Sequence, residues 1–476
     1  METNKKVFDE KSLNTRIIGR AVDQMPLTRP LLTLIVIGSL GALFDNMDNQ
    51  FLAFALPNIA KDFNLRPETI GLIASAGMVG MATGSFLWGW IGDKWGRRMA
   101  FSATILIFSL FTGLMAASFS VGFLLGARFI AGTGLGGAFP VDASILAEYS
   151  PARIRGRVVA ALPLSFAIGG LVASGLALVI VPHFGWRGLF LIGILPALIT
   201  VWVRRKVPES PRWLANRGRF SESLKGLHFV GLTDEALERA RVDVESEPPP
   251  PMLPKPRVLD LFVPEMRRQT IHTWLIWGLP LIGGWGMMLW MPTFFVRLYG
   301  IQLVKTLTYL FFISFVSIGG RLIAYFLIDR FGRKPFIIFP FIFAGISTLM
   351  FNFIHTQTQL VVAAACYFFF AEMGFCAISA YTPEVFPLHI RSLGTAAAMG
   401  VGRIGGAIAP YMIGLLMGSG HVTWIWIVIG SGFIFPAIST IWLGVETRGR
   451  NLEQLTSAAA EDAARVLKEE EAGVKP

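Results

Sequence analysis

Long apolar runs alternate with short polar ones along this chain. Runs of about 20 residues, the length that crosses a hydrocarbon core of about 30 Å as a helix, fall at 31–57, 69–92, 99–118, 121–147, 157–181 and 186–205. Six more follow at 269–297, 305–328, 335–354, 359–381, 391–417 and 423–444. The pattern predicts twelve transmembrane helices in two sets of six. Between the sets lies a polar, Pro-rich stretch in which one or two short amphipathic helices are expected, ahead of a flexible run at Glu247–Pro254 (EPPPPMLP). The borders divide the chain into an N-terminal segment (1–30), a first bundle (31–206), a central loop (207–268), a second bundle (269–445) and a charged tail (446–476) expected to be helical only in part.

The two sets repeat one another. Asp93-x-x-Gly96-Arg97 recurs as Asp329-x-x-Gly332-Arg333, and Glu148, seven residues before Arg155, recurs as Glu384, seven before Arg391. Both landmarks share one offset (329 − 93 = 236 and 384 − 148 = 236). A constant offset of half the chain marks two copies of one unit joined head to tail, the arrangement of carriers with parallel repeats. The fold class expected is an all-α polytopic membrane protein of two pseudo-symmetric six-helix bundles.

Composition narrows the function classes. With 53% hydrophobic and 15% charged residues, the chain cannot clothe a soluble surface, and its 50 glycines suit close helix packing in lipid. A net charge of +11 would suit nucleic acid, but its distribution points elsewhere. Lys and Arg gather in alternate loops: Lys94/Arg97/Arg98, Arg153/Arg155/Arg157, Arg204 to Arg268, Arg330/Arg333/Lys334, Arg391 and both termini. The loops between hold little beyond Lys61, Arg66, Arg187, Arg297 and Lys305. This asymmetry places both termini and the central loop in the cytoplasm of a multi-pass protein of the plasma (bacterial inner) membrane. The lipid bilayer, not nucleic acid, is the partner that the basic charge meets. Cys366 and Cys376 share one apolar run with no metal-ligand spacing, so they are expected as core thiols. The first 20 residues lack an apolar core and cleavage site, so no signal peptide is expected. No nucleophile–base set, phosphate loop or metal cluster appears. The protein is expected to be no enzyme and to need neither metal nor cofactor.

Gly89-x-x-x-Asp93-x-x-Gly96-Arg97-Arg98 falls in the loop between spans 2 and 3. Gly96 permits a tight turn, and Asp93 can accept from a helix N-terminus or an arginine nearby. The motif can latch helix ends or serve only as a basic, topology-setting loop. It resembles the loop signature of the major facilitator superfamily. The second copy departs from it, with Tyr325 at the place of Gly89, so closer packing is expected in the first. Glu148 with Arg155, and Glu384 with Arg391, would complete one charge cluster in each half. Pro208-Glu209-Ser210-Pro211-Arg212-Trp213 after span 6 and Val445-Glu446-Thr447-Arg448-Gly449 after span 12 resemble paired motifs of sugar porters and of organic-acid and organic-ion carriers.

Polar residues inside the spans carry the substrate chemistry, because intramembrane charges are expensive and usually functional. Asp45 and Asp48 stand three apart on one face of span 1, roughly 14 residues or about 21 Å from its start. Two acids on one face can hold a proton, or can form a structural pair capped by an arginine; Arg128 on span 4 is the candidate partner, and Asp142 follows on the same span. In the second half, Arg403 lies in the small-residue string Gly400–Gly406 of span 11, where its planar fork could bind a carboxylate or pair internally with Glu372 on span 10. Trp285, Met288 and Trp290 on span 7, Phe368 and Tyr381 on span 10, and Gln50 on span 1 complete the candidate substrate set.

The string Phe44-Asp45-Asn46-Met47-Asp48 resembles the D-x-x-D element of bacterial aromatic-acid:proton symporters and nicotinate permeases. Tyr381-Thr382-Pro383-Glu384-Val385-Phe386-Pro387, running on to Arg391 and Arg403, resembles the nicotinate-permease, synaptic-vesicle-glycoprotein and organic-ion branch. Sugar porters usually show paired glutamines on span 7, and Gly278–Pro292 has none. The resemblance implies a monomeric, proton-coupled importer of a small organic acid, an aromatic carboxylate first. Its cavity would lie between the halves and open alternately to each side. Sugar or organic-cation transport, or a non-transporting membrane sensor on the same fold, are the alternatives.

Overall fold

The computed structural model describes residues 2–198, 200, 207–247 and 257–448, with 2–11, 139, 157 and 160 given by backbone alone. The tail beyond Arg448, the proline run, Arg204 and the side chain of Arg157 lie outside the described residues. The helices are α1 (Glu2–Gln24), α2 (Arg29–Asp62), α3 (Pro67–Trp95), α4 (Arg97–Met115), α5 (Val121–Tyr149), α6 (Ala152–Ile192), α7 (Pro211–Asn216), α8 (Phe220–Val230), α9 (Asp234–Ser246), α10 (Pro264–Arg297), α11 (Leu303–Phe331), α12 (Arg333–Leu349), α13 (Gln357–Glu384), α14 (Arg391–Gly418) and α15 (Val422–Leu443).

Eleven stretches among the described residues are long and apolar enough to cross a membrane. One of them, Ala152–Leu198, has 47 residues, about 70 Å as a single helix and over twice the hydrocarbon core. It breaks at Gly185 (φ 64°, ψ −170°), so it makes two crossings, and the spans number twelve.

The chain divides into two compact units, 1–59 with 76–251 and 60–75 with 252–476. In the first unit, α3 and α5 approach backbone to backbone. A Cβ on Gly80 or Gly84 would strike the carbonyl of Phe129 or Thr133, and one on Gly132 or Gly136 would strike that of Gly77 or Met81. Without a hydrophobic drive between helices in lipid, such small-residue contacts hold the bundle by packing. In the second unit, Gly405 of α14 meets the Gly278 carbonyl of α10 in the same way. Residues 60–75 join this unit because Gly71 meets the Pro410 carbonyl, Gly414 meets that of Pro67, and Ser75 Oγ accepts from Tyr411 N at 3.0 Å. Cys366 and Cys376 are free and half-buried.

Two polar regions hold more structure than expected. Among its described residues the central loop forms three α-helices, α7, α8 and α9, where one or two were expected. Ser210 caps α7 by accepting from Trp213 N, and Thr233 caps α9 by accepting from Ala236 N. The N-terminal segment forms α1. Its Ile18, Ala21, Val22 and Met25 are buried in one cluster with Leu227, Val230, Ala236 and Ala240 of α8 and α9. A polar rim closes this contact: Gln24 Nε2 donates to Asp243 at 2.7 Å, Thr15 donates to Asn216 at 2.9 Å, and Arg20 pairs with Glu247. The apolar residues recur at helical spacing, but the dense charge around them hid the pattern. Truncating the fully buried Ile18 to Ala should cost about 2–5 kcal/mol, whereas Leu27→Ala, at an exposed site, should cost under about 0.5 kcal/mol. Unfolding of the detergent-solubilised protein measures both, and an unchanged midpoint for Ile18→Ala would contradict this packing.

Candidate functional site

In the first unit, α2 presents the polar string Asp45-Asn46-Met47-Asp48-Asn49-Gln50, interrupted only by methionine. Arg128 of α5 is completely buried against it. Its Nη1 donates to Asp48 Oδ2 at 2.6 Å and its Nη2 to Asn49 Oδ1 at 2.8 Å. Thr112 of α4 donates to the other Asp48 oxygen. Asn49 in turn donates to Asp45 Oδ1 at 3.1 Å. Gly77 makes the space, since a Cβ there would fall on the Arg128 guanidine. Asp45 and Asp48 therefore differ in kind: Asp48 is neutralised by a cation, and Asp45 accepts from an amide. Asn46 donates to the Phe166 carbonyl at 2.7 Å, and Asn46 and Gln50 both approach Gly170 of α6. Asp142, also completely buried, lies against Gly41.

The repeated loop motifs form one cluster per unit. Asp93 pairs with Arg97 at 2.6 Å across the turn from α3 to α4, and Arg97 lies 3.8 Å from Glu148. Asp329 pairs with Arg333 at 2.8 Å, and Arg333 with Glu384 at 2.9 Å. The glycine between them is required twice over. Gly96 (φ 112°, ψ 151°) and Gly332 (φ 100°, ψ 164°) occupy a backbone region nearly closed to other residues. A Cβ at either would also strike a carboxylate, that of Glu209 or Glu446. Those two acids sit at the N-termini of α4 and α12: Arg98 N donates to Glu209 at 3.0 Å, and Arg333 N and Lys334 N donate to Glu446 at 2.9 and 3.0 Å. An anion is stabilised there by the helix dipole and unsatisfied amides. Ser210 and Thr447, the next residues, bind Glu148 and Glu384.

Several expected partners are exchanged. Arg155 turns from Glu148 to Asp23 at 2.6 Å and to the carbonyls of Ala147 and Ser150, so it ties α1 to the end of α5. Arg391 reaches the Phe386 carbonyl rather than Glu384. Arg98 contributes its backbone amide to Glu209. A Cβ on Gly89 would meet nothing within 4 Å beyond its own helix among the described residues, and Tyr325 is exposed, so this departure between the copies falls at an open position. Glu209 and Glu446 were missed as cluster members, although they recur at nearly the same offset (446 − 209 = 237).

In the second unit, Glu372 of α13 pairs with Arg321 of α11 at 2.5 Å, a partner that the expected pairing with Arg403 did not include. Arg321 was overlooked, though an arginine within the apolar run of span 8 signals a paired or functional charge by its cost alone. Arg403 is half-buried on α14 amid glycines that seat α14 on α10. Gly402 meets Leu281, Gly405 meets Gly278, and Gly406 meets the Trp285 indole. The ring of Trp285 thus lies within one turn of Arg403, and Met288 shares its helix face, half-buried. Trp290 is fully buried, its Nε1 donating to the Pro410 carbonyl at 3.0 Å, so it packs the core instead. Tyr381 is buried too, its hydroxyl accepting from Val445 N at 3.1 Å beside His272. Phe368 is half-buried, edge-on to Tyr367.

A family profile described as "Sugar (and other) transporter" matches residues 36–459. The chain belongs to this family of the major facilitator superfamily. It is a multi-span membrane transporter and not an enzyme. It is 32% identical over 439 residues to the niacin transporter NiaP of Acinetobacter baylyi, covering 91% of this chain and 98% of that protein. It is 28% identical to the putative niacin/nicotinamide transporter NiaP of Bacillus subtilis, covering 88% and 97%. Among solved structures, a partially occluded, inward-open xylose transporter XylE from E. coli superposes with a TM-score of 0.71 at 18% identity, over 89% of this chain and all of that one. That likeness establishes the major facilitator fold.

The two types of charge contact should respond differently to mutation. Asp93→Asn removes an exposed pair and should cost under about 1 kcal/mol. Gly96→Ala forces an alanine into a glycine-only conformation against Glu209 and should cost about 1–3 kcal/mol. Asp48→Asn leaves Arg128 without its counter-charge and should cost about 3–5 kcal/mol. Melting of the three purified variants tests this order, and equal losses at Asp93 and Asp48 would contradict it.

Proposed function

We propose that this transporter carries a small aromatic carboxylate, nicotinate-like or hydroxybenzoate-like, together with protons across the bacterial inner membrane, with both termini cytoplasmic. Alternating access supplies the movement, and the charge clusters at the helix ends supply contacts that can break and re-form. The observation that supports the substrate class is Arg403 one turn along α14 from Gly406, the glycine against which the Trp285 indole packs. Niacin, named for one relative and together with nicotinamide for a second, is itself an aromatic carboxylate, and those relatives match along nearly the whole chain. Asp45, Asp48, Arg128 and Asp142 form the proton-handling group, since a carboxylate cargo needs its charge offset on the way through the bilayer.

Binding discriminates this reading from sugar or amine transport. Nicotinate or benzoate at 100 times its dissociation constant should stabilise the purified protein by about 2.7 kcal/mol, while nicotinamide, xylose and organic cations should not. Arg403→Lys should bind at least tenfold more weakly because an ammonium lacks the two-point fork, and Arg403→Ala should bind more weakly still. Because Glu372 has Arg321 as its partner, adding Glu372→Ala should not restore the Arg403→Ala protein. Wild-type affinity for the acid in a stable Arg403→Ala protein, or a thermal shift with xylose alone, would sink the assignment.

A further inference from the structure

The proton-handling group contains four residues, and the structure separates them into two sets. Asp48 and Arg128 neutralise one another, with Thr112 donating to Asp48 and Asn49 accepting from Arg128. Asp142 has nothing comparable. It is completely buried on α5, and among the described residues neither of its carboxyl oxygens has a hydrogen-bond partner. Asp45, of like sign, acts on it from α2. Elsewhere on α5, Arg128 is held by Asp48 and Asn49, and Glu148 by Arg97 and Ser210. The position is shaped for a carboxyl: Gly41 of α2 lacks the Cβ that would overlap Asp142 Oδ2, and Gly38 one turn earlier accommodates Leu146 one turn later.

We propose that Asp142, facing Asp45 across the contact between α2 and α5, is the proton-carrying carboxyl of the first unit, and that the Asp48–Arg128 pair stays ionised. The inference rests on the proton-coupled reading above. A buried ionised carboxylate without donor or cation is not sustained in a low-dielectric site, so the group is held as the neutral acid. Taking one proton from water converts the Asp142 carboxylate to the carboxylic acid and changes the charge of the Asp45–Asp142 pair from −2 to −1; release returns it. No bond to the cargo is made or broken. Arg128 cannot give up its proton, which keeps Asp48 committed as its counter-charge.

Infrared spectroscopy of the purified full-length protein at neutral pH tests this without any substrate, so failure to carry an aromatic acid and failure of this inference are separate results. The wild type should show a carboxylic-acid carbonyl band that shifts in heavy water. Asp142→Asn should lose one such band, and Asp48→Asn should keep it. Gly41→Ala, which crowds Asp142 Oδ2, should move the band's frequency and provides the reading if Asp142→Asn does not fold. Absence of the band in the wild type, its persistence in Asp142→Asn, its loss in Asp48→Asn, or an unmoved band in Gly41→Ala would each overturn the proposal.

Discussion

A guanidinium buried beyond the reach of water must be neutralised where it stands, because arginine has no neutral form to fall back on. Arg128 imposes that demand on the first unit. It fixes Asp48 as counter-charge, Asn49 as second acceptor and Thr112 as the donor that completes Asp48. Gly77 has to lack a side chain for the arginine to lie between α3 and α5. Because Asp48 is committed to this role, the change of charge proposed above falls to Asp142, facing Asp45.

The second recurring constraint is the turn between α3 and α4, repeated between α11 and α12. Its chemistry is a single device used twice. A glycine-only turn brings two helix ends together, an Asp–Arg pair spans it, and a glutamate from beyond the last helix of each bundle caps the new N-terminus. The supporting tyrosines differ. Tyr149 donates to the Glu209 carbonyl, whereas the Tyr381 hydroxyl accepts from Val445 N. The repeat thus conserves the geometry of the charge cluster while its scaffolding varies.

Most of the fold was legible in the sequence because hydropathy and charge asymmetry are additive along a chain. The twelve spans and the repeated Asp-x-x-Gly-Arg loops need no knowledge of which helix touches which. Partner choice does need it. Arg403 and Glu372 lie at suitable depths to pair, yet Glu372 meets Arg321, and Arg155 meets Asp23 from a helix that the sequence left as a plain segment. Aromatic residues were hardest to place: Trp285 and Trp290 sit five apart on α10, and helix rotation leaves one half-buried against Gly406 and seals the other into the core. Register and rotation decide these outcomes, and a single sequence carries no direct record of either.

Uptake of labelled nicotinate into proteoliposomes under an imposed pH gradient tests the central claim most directly. With the outside acidic, the account predicts accumulation well above equilibration, collapse of that accumulation on adding a protonophore, and no accumulation of labelled xylose in the same vesicles. Nicotinate that merely equilibrates whatever the gradient, or xylose that accumulates in its place, would contradict it.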